Sequence, residues 1–346
     1  MRTGARNPRP TVADVARVAG VAASTVSNVL HDHPNVRADK RNRVLRAIEE
    51  LGYTPSLASR QLRRGGLDAI ALVVPDITSP YFAALAHALM IEARRRGITL
   101  LIDETGGTID QEREAARGYP ALGVSGIIFC PVAIDPEELE QHRGRTPTVL
   151  LGEYVLSGGF DHVAIDSRRS AREATSHLIE LGRTHLAFIG ITTGPGRLRE
   201  LGFRDALEAA GLRGASTVVH VEDYSREQGA AGVRRLIPRI AAIDGIVCSS
   251  DLLAIGALRE LHQAGVAVPA DVAILGWDDT PEAAWTTPAL TSVAPDMAGI
   301  AARSMEVLER RREDPDKAAE QIEVRFRLVQ RASTSTGPAE PVGTSE

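Results

Sequence analysis

The segment Thr11–Leu30 reads TVADVARVAGVAASTVSNVL, two short stretches of helical periodicity divided by one glycine. Thr11 with Asp14 three residues later makes a capping-box-like start, and Val12, Val15 and Ala16 supply the apolar stripe behind it. Gly20 breaks the chain for a tight turn. The second stretch sets Val26, Val29 and Leu30 on one face at i, i+3 and i+4. After the loop HDHPN a third helix carries Val44, Leu45, Ile48 and Leu51 and is closed by Gly52. Helix, glycine turn, helix and supporting helix is the helix-turn-helix pattern.

With Val26, Val29 and Leu30 facing inward, Ser24 and Asn28 point outward one turn apart, flanked by Thr25 and Ser27. Small polar side chains on a slim helix suit entry into a DNA major groove. Asn pairs bidentately with adenine, and Ser and Thr suit phosphates or base edges. For an isolated helix, the reading of this face as ordinary solvated surface would prevail.

Charge points the same way. Residues 1–66 hold 12 Lys/Arg against 5 Asp/Glu, whereas the rest of the 346-residue chain holds 28 against 40. A basic module on an acidic body suits a polyanionic partner. Apolar residues make up 43% and charged residues 25%, the balance of a globular protein. No apolar run reaches bilayer-spanning length, and no hydrophobic segment follows the basic start Arg2, Arg6, Arg9 as a secretory leader requires. The expected location is cytoplasmic, at the nucleoid when DNA is bound. Cys130 and Cys248 each end an apolar run, GIIFC and GIVC, and read as reduced core thiols.

From Ala69 the pattern changes to β-rich runs alternating with helical stretches. AIALVV precedes Tyr81–Arg96, TLLI precedes Asp110–Leu122, GIIFC precedes Pro136–Arg143, and TVLL follows. A second series runs HVAI, Ser167–Leu181, LAFI, Leu198–Ala210, VVHV, Ser225–Leu236, GIVC, Leu252–Ala264, VAIL. Strands apolar on both faces, alternating with amphipathic helices, predict parallel βαβ sheets. Two series predict two doubly wound subdomains with a ligand cleft between them. Nucleotide-binding glycine motifs, H-E-x-x-H and G-x-S-x-G are missing; Gly123–Gly126 reads only GVSG. The nine histidines show no metal-ligand spacing beyond His31 and His33 in one loop, so neither a cofactor nor a metal is expected.

The stretches TVADVARVAGVAASTVSNVL and RNRVLRAIEELGYTPSLASRQL resemble the headpiece of the lactose-repressor/galactose-repressor family almost residue for residue. IALVVPDITSPYF, GITTGPGRLRELGF, SSDLLAIGAL and ILGWDDTPEAAWTTPALTSV resemble that family's effector-binding core, so the likeness covers roughly residues 11–331. The resemblance implies a homodimeric repressor, not an enzyme. Its architecture would be a small all-α helix-turn-helix headpiece plus a periplasmic-binding-protein-like α/β core of two doubly wound parallel-sheet subdomains. Expected boundaries are a disordered basic N-terminus at 1–10, the DNA-binding domain at 11–54, a hinge helix and linker at 55–66, and the core at 67–331. Within the core the N-subdomain takes 67–166 and 297–321, the C-subdomain 167–294 and 322–331. A disordered tail, 332–346, follows.

By position, Ala23, Ser24 and Asn28 match the family's base-reading residues, and Thr25 and Ser27 its phosphate contacts. Leu62 matches the leucine that wedges into the minor groove, with Arg60, Arg63 and Arg64 supplying charge to phosphates. Effector contacts carry over to Tyr81, Phe82, Asp166, Arg199, Tyr224, Ser250, Asp251 and Asp278, with Trp277 adjacent. Carboxylates and a guanidinium fit sugar hydroxyls, and aromatic rings fit a flat ring face. Asp166, Ser250 and Asp251 read equally as helix caps after strands. The expected partners are pseudo-palindromic operator DNA and a small effector, a sugar or sugar derivative, with no membrane. Two departures stand out: Ala22 and Arg37 occupy cap positions that the family usually fills with Ser or a similar cap. A transport-type sugar-binding protein and a sugar-acting enzyme are the competing readings. The basic headpiece and missing leader argue against the first, the missing catalytic constellation against the second.

Overall fold

The structure, a computed structural model, describes residues 10–30, 33, 36–53, 68–152, 159–214 and 216–335. The chain divides into two compact units, Met1–Leu67 and Asp68–Glu346. The expected basic N-terminus (apart from Pro10), the hinge segment 55–66, and tail residues 336–346 lie outside the described residues.

The first unit holds α1 (Val12–Ala19), α2 (Ala23–Leu30) and α3 (Ala38–Leu51). The capping box forms: Thr11 N donates to Asp14 Oδ2 at 2.9 Å, and Asp14 N donates to Thr11 Oγ1 at 3.3 Å. The Thr11 hydroxyl, donating to Asp14 Oδ2 at 2.7 Å, and the Thr11 backbone N–H together hold the Asp14 carboxyl below its ordinary range. Gly20 takes the left-handed conformation at φ 61° that lets α1 stop and α2 leave at once. Val15, Val26 and Val44 are fully buried, and Val29, Ala47 and Tyr53 close a small core. Leu45 departs from expectation: it is 51% exposed. The stripe runs Val44, Ala47, Ile48, Leu51, and on a helix of 3.6 residues per turn the residue after Val44 rotates off it.

In the second unit, β1 (Ala69–Val74), β2 (Thr99–Glu104), β3 (Gly126–Phe129), β4 (Thr148–Leu151) and β5 (Asp161–Ala164) pair in parallel in the order β2-β1-β3-β4-β5. The second sheet repeats that order with β6 (Leu186–Gly190), β7 (Ser216–His220), β8 (Gly245–Cys248), β9 (Ala273–Trp277) and β10 (Thr291–Pro295). Every residue of β1, β3, β6, β8 and β9 is buried, as strands covered on both faces by helices require. Sheets of this order bind ligands beyond the carboxyl ends of their strands, where the winding direction reverses.

The chain crosses between the sheets three times, after β5, after β10, and between β11 (Gln321–Glu323) and β12 (Phe326–Val329). The helix Met297–Glu313 returns to the first sheet's layer. Asp296 N donates to Arg325 O at 3.0 Å and Val324 N to Ala164 O at 2.8 Å, so the crossovers are tied to one another.

Three expectations need correction. The last crossover falls after Glu323 rather than after Gln321, because β11 pairs with β5 through Gln321, Ile322 and Glu323. β12 runs antiparallel to β10, so the second sheet is parallel except at that edge. The tail does not begin at Ala332: Ser333 and Thr334 are buried, Ser333 Oγ donates to Ile274 O at 2.6 Å, and Ile274 N donates to Ser333 O. A polar Ser-Thr stretch reads as solvated, yet here its hydroxyls satisfy backbone groups that burial would otherwise orphan. Helix bounds shift too. Ile109–Ala116 stops well before Leu122 because Gly118, at φ 85°, and Pro120 end it, whereas Gly194–Ala209 starts four residues early on a Pro-containing first turn.

Candidate functional site

Two sites are built, one in each unit. On α2 the buried residues are Val26 and Val29. Ala23, Ser24 and Asn28 are exposed on the opposite face, and Thr25 and Ser27 are half-buried along its flanks. The helix therefore offers the five expected residues together. Its start has no side-chain oxygen: Thr25 N and Val26 N donate to the Ala22 carbonyl, and Ala22 itself is exposed. Arg37 likewise gives α3 no side-chain cap. Arg60, Leu62 and Arg63 lie outside the described residues.

In the core a cavity of about 520 Å³ opens between the two sheets' layers. Pro80, Tyr81 and Ala84 line it from the first subdomain, Asp278–Pro281 from the second, Ala294–Met297 from the end of β10 into its crossover, and Arg325–Arg327 from the last crossover into β12. Tyr81 starts the helix Pro80–Arg95 and meets Phe82 edge-on, ring centroids 5.1 Å apart. Asp278 follows β9 at φ 106°, and Asp279 has φ 49°. Left-handed backbone at two successive non-glycine residues costs on the order of 1–3 kcal/mol each, so surrounding bonds must impose it. They do: Asp278 N donates to Val293 O at 2.9 Å, Asp279 N to Ser292 Oγ at 3.0 Å, and Arg331 to Asp279 Oδ1 at 2.6 Å.

Beside that turn, the Arg199 guanidinium lies 4.2 Å over the Trp277 ring and donates to Ser249 O at 2.5 Å and Ser167 Oγ at 3.3 Å. Trp277 is fully buried, and among the described residues its indole N–H and the Ser249 hydroxyl have no hydrogen-bond partner. Unsatisfied buried donors grouped around a fixed cation mark a place prepared for a polar ligand. Burial pushes the Asp278 carboxyl up to about 8, Arg199 opposing and Asp251 reinforcing. Such a group gains by meeting hydroxyl donors.

The structure thus sets Arg199 and Trp277 close to Asp278, but of these three only Asp278 lines the cavity, together with Tyr81 from the first subdomain. Phe82 and Tyr224 are half-buried and do not line the cavity, and neither does Asp166, which accepts from Arg169 N at 2.8 Å as the cap of helix Ser167–Glu180. Ser250 and Asp251 are corrected. Ser250 is buried and caps helix Asp251–Gln263 by accepting from Leu253 N, and Asp251 is 0% exposed with both oxygens engaged inside the protein. Sequence reasoning missed Asp279, Arg325 and Phe326. Only the Asp-Asp pair carried a signal, since Asp tolerates left-handed backbone better than most residues.

Residues 11–56 match the lacI family of bacterial regulatory proteins, and residues 175–334 match a periplasmic binding protein-like domain. The ribose operon repressor of Halalkalibacterium halodurans is 32% identical over 94% of this chain and 98% of its own length. A solved complex of the transcriptional regulator CelR with cellobiose is 28% identical, covers 94% of this chain and all (100%) of its own, and superposes with a TM-score of 0.68. The lac repressor dimer bound to operator, 22% identical over 94% of this chain and 99% of its own, shares the fold with a TM-score of 0.83. The chain belongs to the lacI family of bacterial regulatory proteins. It is a DNA-binding transcriptional regulator, not an enzyme. Among the described residues no helix is long and apolar enough to cross a membrane.

Proposed function

We propose that this regulator is a homodimeric repressor that grips a pseudo-palindromic operator and answers to a small sugar or sugar derivative. It acts in the cytoplasm, at the nucleoid when bound to DNA. Asn28, Ser24 and Ala23 read base edges, Thr25 and Ser27 hold phosphates, and Leu62 with Arg60 and Arg63 meets the operator's centre. Two-fold symmetry of the dimer calls for two half-sites.

One observation carries the ligand reading: the cavity is lined at once by both subdomains and by two of the three crossovers between them. A molecule held there, against Tyr81 on one side and Asp278 on the other, must feel any change in subdomain closure. A ligand shifts such an equilibrium only by its difference in affinity for the two states. At the cavity wall Tyr81 supplies an aromatic ring and Asp278 an acidic group, and Arg199, stacked on the buried Trp277, stands close to Asp278, a combination that suits a hydroxyl-rich ring. One relative is named for the ribose operon and a structural neighbour holds cellobiose, which makes these two sugars the first probes. Gel shifts of genomic fragments with the full-length protein, with and without each sugar, test the reading. A retarded fragment whose retention changes with one sugar supports it, and retention indifferent to both contradicts the sugar assignment.

A further inference from the structure

Asp251 sits behind the cleft rather than in it. Its Oδ2 accepts from Thr280 N at 2.7 Å and its Oδ1 from Ser292 Oγ at 2.6 Å. Ser292 Oγ in turn accepts from Asp279 N at 3.0 Å. One carboxylate therefore reaches two successive backbone amides of the turn Asp278–Thr280, directly at Thr280 and through one hydroxyl at Asp279. Room for it is made on β9: a Cβ at Gly276 would stand 2.4 Å from Asp251 Oδ1.

We propose that Asp251 is the positioning residue of the effector site, acting on the ligand only by holding the Asp278–Asp279 turn so that the Asp278 carboxyl faces the cleft. The inference rests on the reading of the cleft as the effector site. The bonds are short, those at Asp251 are buried, and the backbone they hold is left-handed at two successive residues, a conformation that costs free energy even for Asp. Asp251 also acts through its charge. Charged groups around Asp278 are Arg199 from helix Gly194–Ala209, Asp251 from helix Asp251–Gln263, and Asp279 on its own turn, the last paired with Arg331 and Arg327. Asp296 and Arg325 stand across the cavity. A like charge behind Asp278 favours its protonated form, so removing that charge lets Asp278 ionise at lower pH.

The test compares Asp251→Asn, Asp251→Ala and Ser292→Ala in the full-length protein. Asn keeps one acceptor for Thr280 N and places an amide against Ser292 Oγ, so it preserves the turn but not the charge. Trp277 and Trp285 are the two tryptophans of the chain. In a Trp285→Phe background, emission therefore reports Trp277, which lies beside Asp278, as pH is varied without any ligand. A transition lost in Asp278→Asn is assigned to Asp278, and Asp251→Asn moves it down by one pH unit or more. Calorimetric titration with cellobiose and with D-ribose at pH 8 supplies the second readout. Ser292→Ala and Asp251→Ala weaken the sugar that binds at least tenfold, while Asp251→Asn weakens it less than threefold. A Trp277 transition unmoved in Asp251→Asn overturns the inference, as does full sugar affinity in Ser292→Ala. Failure of both sugars to bind the wild type would count against the sugar reading alone, because the ligand-free titration still decides the part played by Asp251. Should Asp251→Ala fail to fold, Asp251→Asn and Ser292→Ala carry the comparison.

Discussion

The proposed DNA-reading face and the proposed effector cleft solve recognition in opposite ways. On α2 five neighbouring residues, Ala23 to Asn28 with Val26 turned inward, present small polar groups to solvent over a core of a few valines and alanines. In the cleft, the corresponding groups come from positions as distant as Tyr81 and Arg327, and Asp278 and Asp279 among them are half-buried and braced by hydrogen bonds. A surface face costs little to build and meets a partner that supplies its own charge. A buried site must first fix strained backbone and unsatisfied donors, and it gains strength from low dielectric in return.

The contrast predicts effects of different size and kind. Arg199→Ala should cost the most at the cleft, roughly 3 kcal/mol or over 100-fold in sugar affinity, while operator affinity without ligand stays within threefold. Sugar calorimetry and gel shift on the one variant check both halves. Loss of operator binding along with sugar binding would show that Arg199 holds the fold rather than the ligand.

Val26→Ala comes next. It hollows a headpiece whose core is small, at a cost of roughly 2 kcal/mol, and should lower only the headpiece's melting transition. Differential scanning calorimetry should show the core transition unmoved, and a single shifted transition would contradict independent units. Asn28→Ala leaves both transitions alone and relaxes preference at one base pair per half-site by about 1–3 kcal/mol. Selection from a randomised operator library reads this directly; a uniform loss across sequences would remove Asn28 from base reading. The smallest effect belongs to Ala22→Ser, which restores an oxygen at the start of α2 and should raise headpiece stability by about 1 kcal/mol. Thermal melting of that variant is the check, and no gain would mean that the Ala22 carbonyl already suffices.

The same contrast explains what could be read in advance. The headpiece was legible because its function is local: Thr11, Asp14, Gly20 and the valine spacing fix three helices, and the face opposite the valines follows by geometry. Its one error, Leu45, is a neighbour of the stripe rather than a member of it. In the core, the alternation of buried runs and helices exposed the two sheets and hence a cleft. It gave no means to tell Asp251 from Asp278. Both follow apolar strand runs, and only the tertiary hydrogen bonds of Ser292 and Thr280 turn one inward and leave the other in the cavity. β12 and Ser333 were missed for a related reason. An edge strand of mixed polarity and a buried serine carry no periodic signal, and both are held by backbone partners dozens of residues away.

In the proposed mechanism, ligand and operator are coupled through the core. Isothermal titration of cellobiose and of D-ribose into the full-length protein, free and saturated with operator, measures that coupling directly. Coupling of about 1–3 kcal/mol predicts a 5- to 150-fold difference between the two titrations, mirrored by the same factor in operator affinity with and without sugar. Equal sugar affinities in the presence and absence of operator would contradict the account.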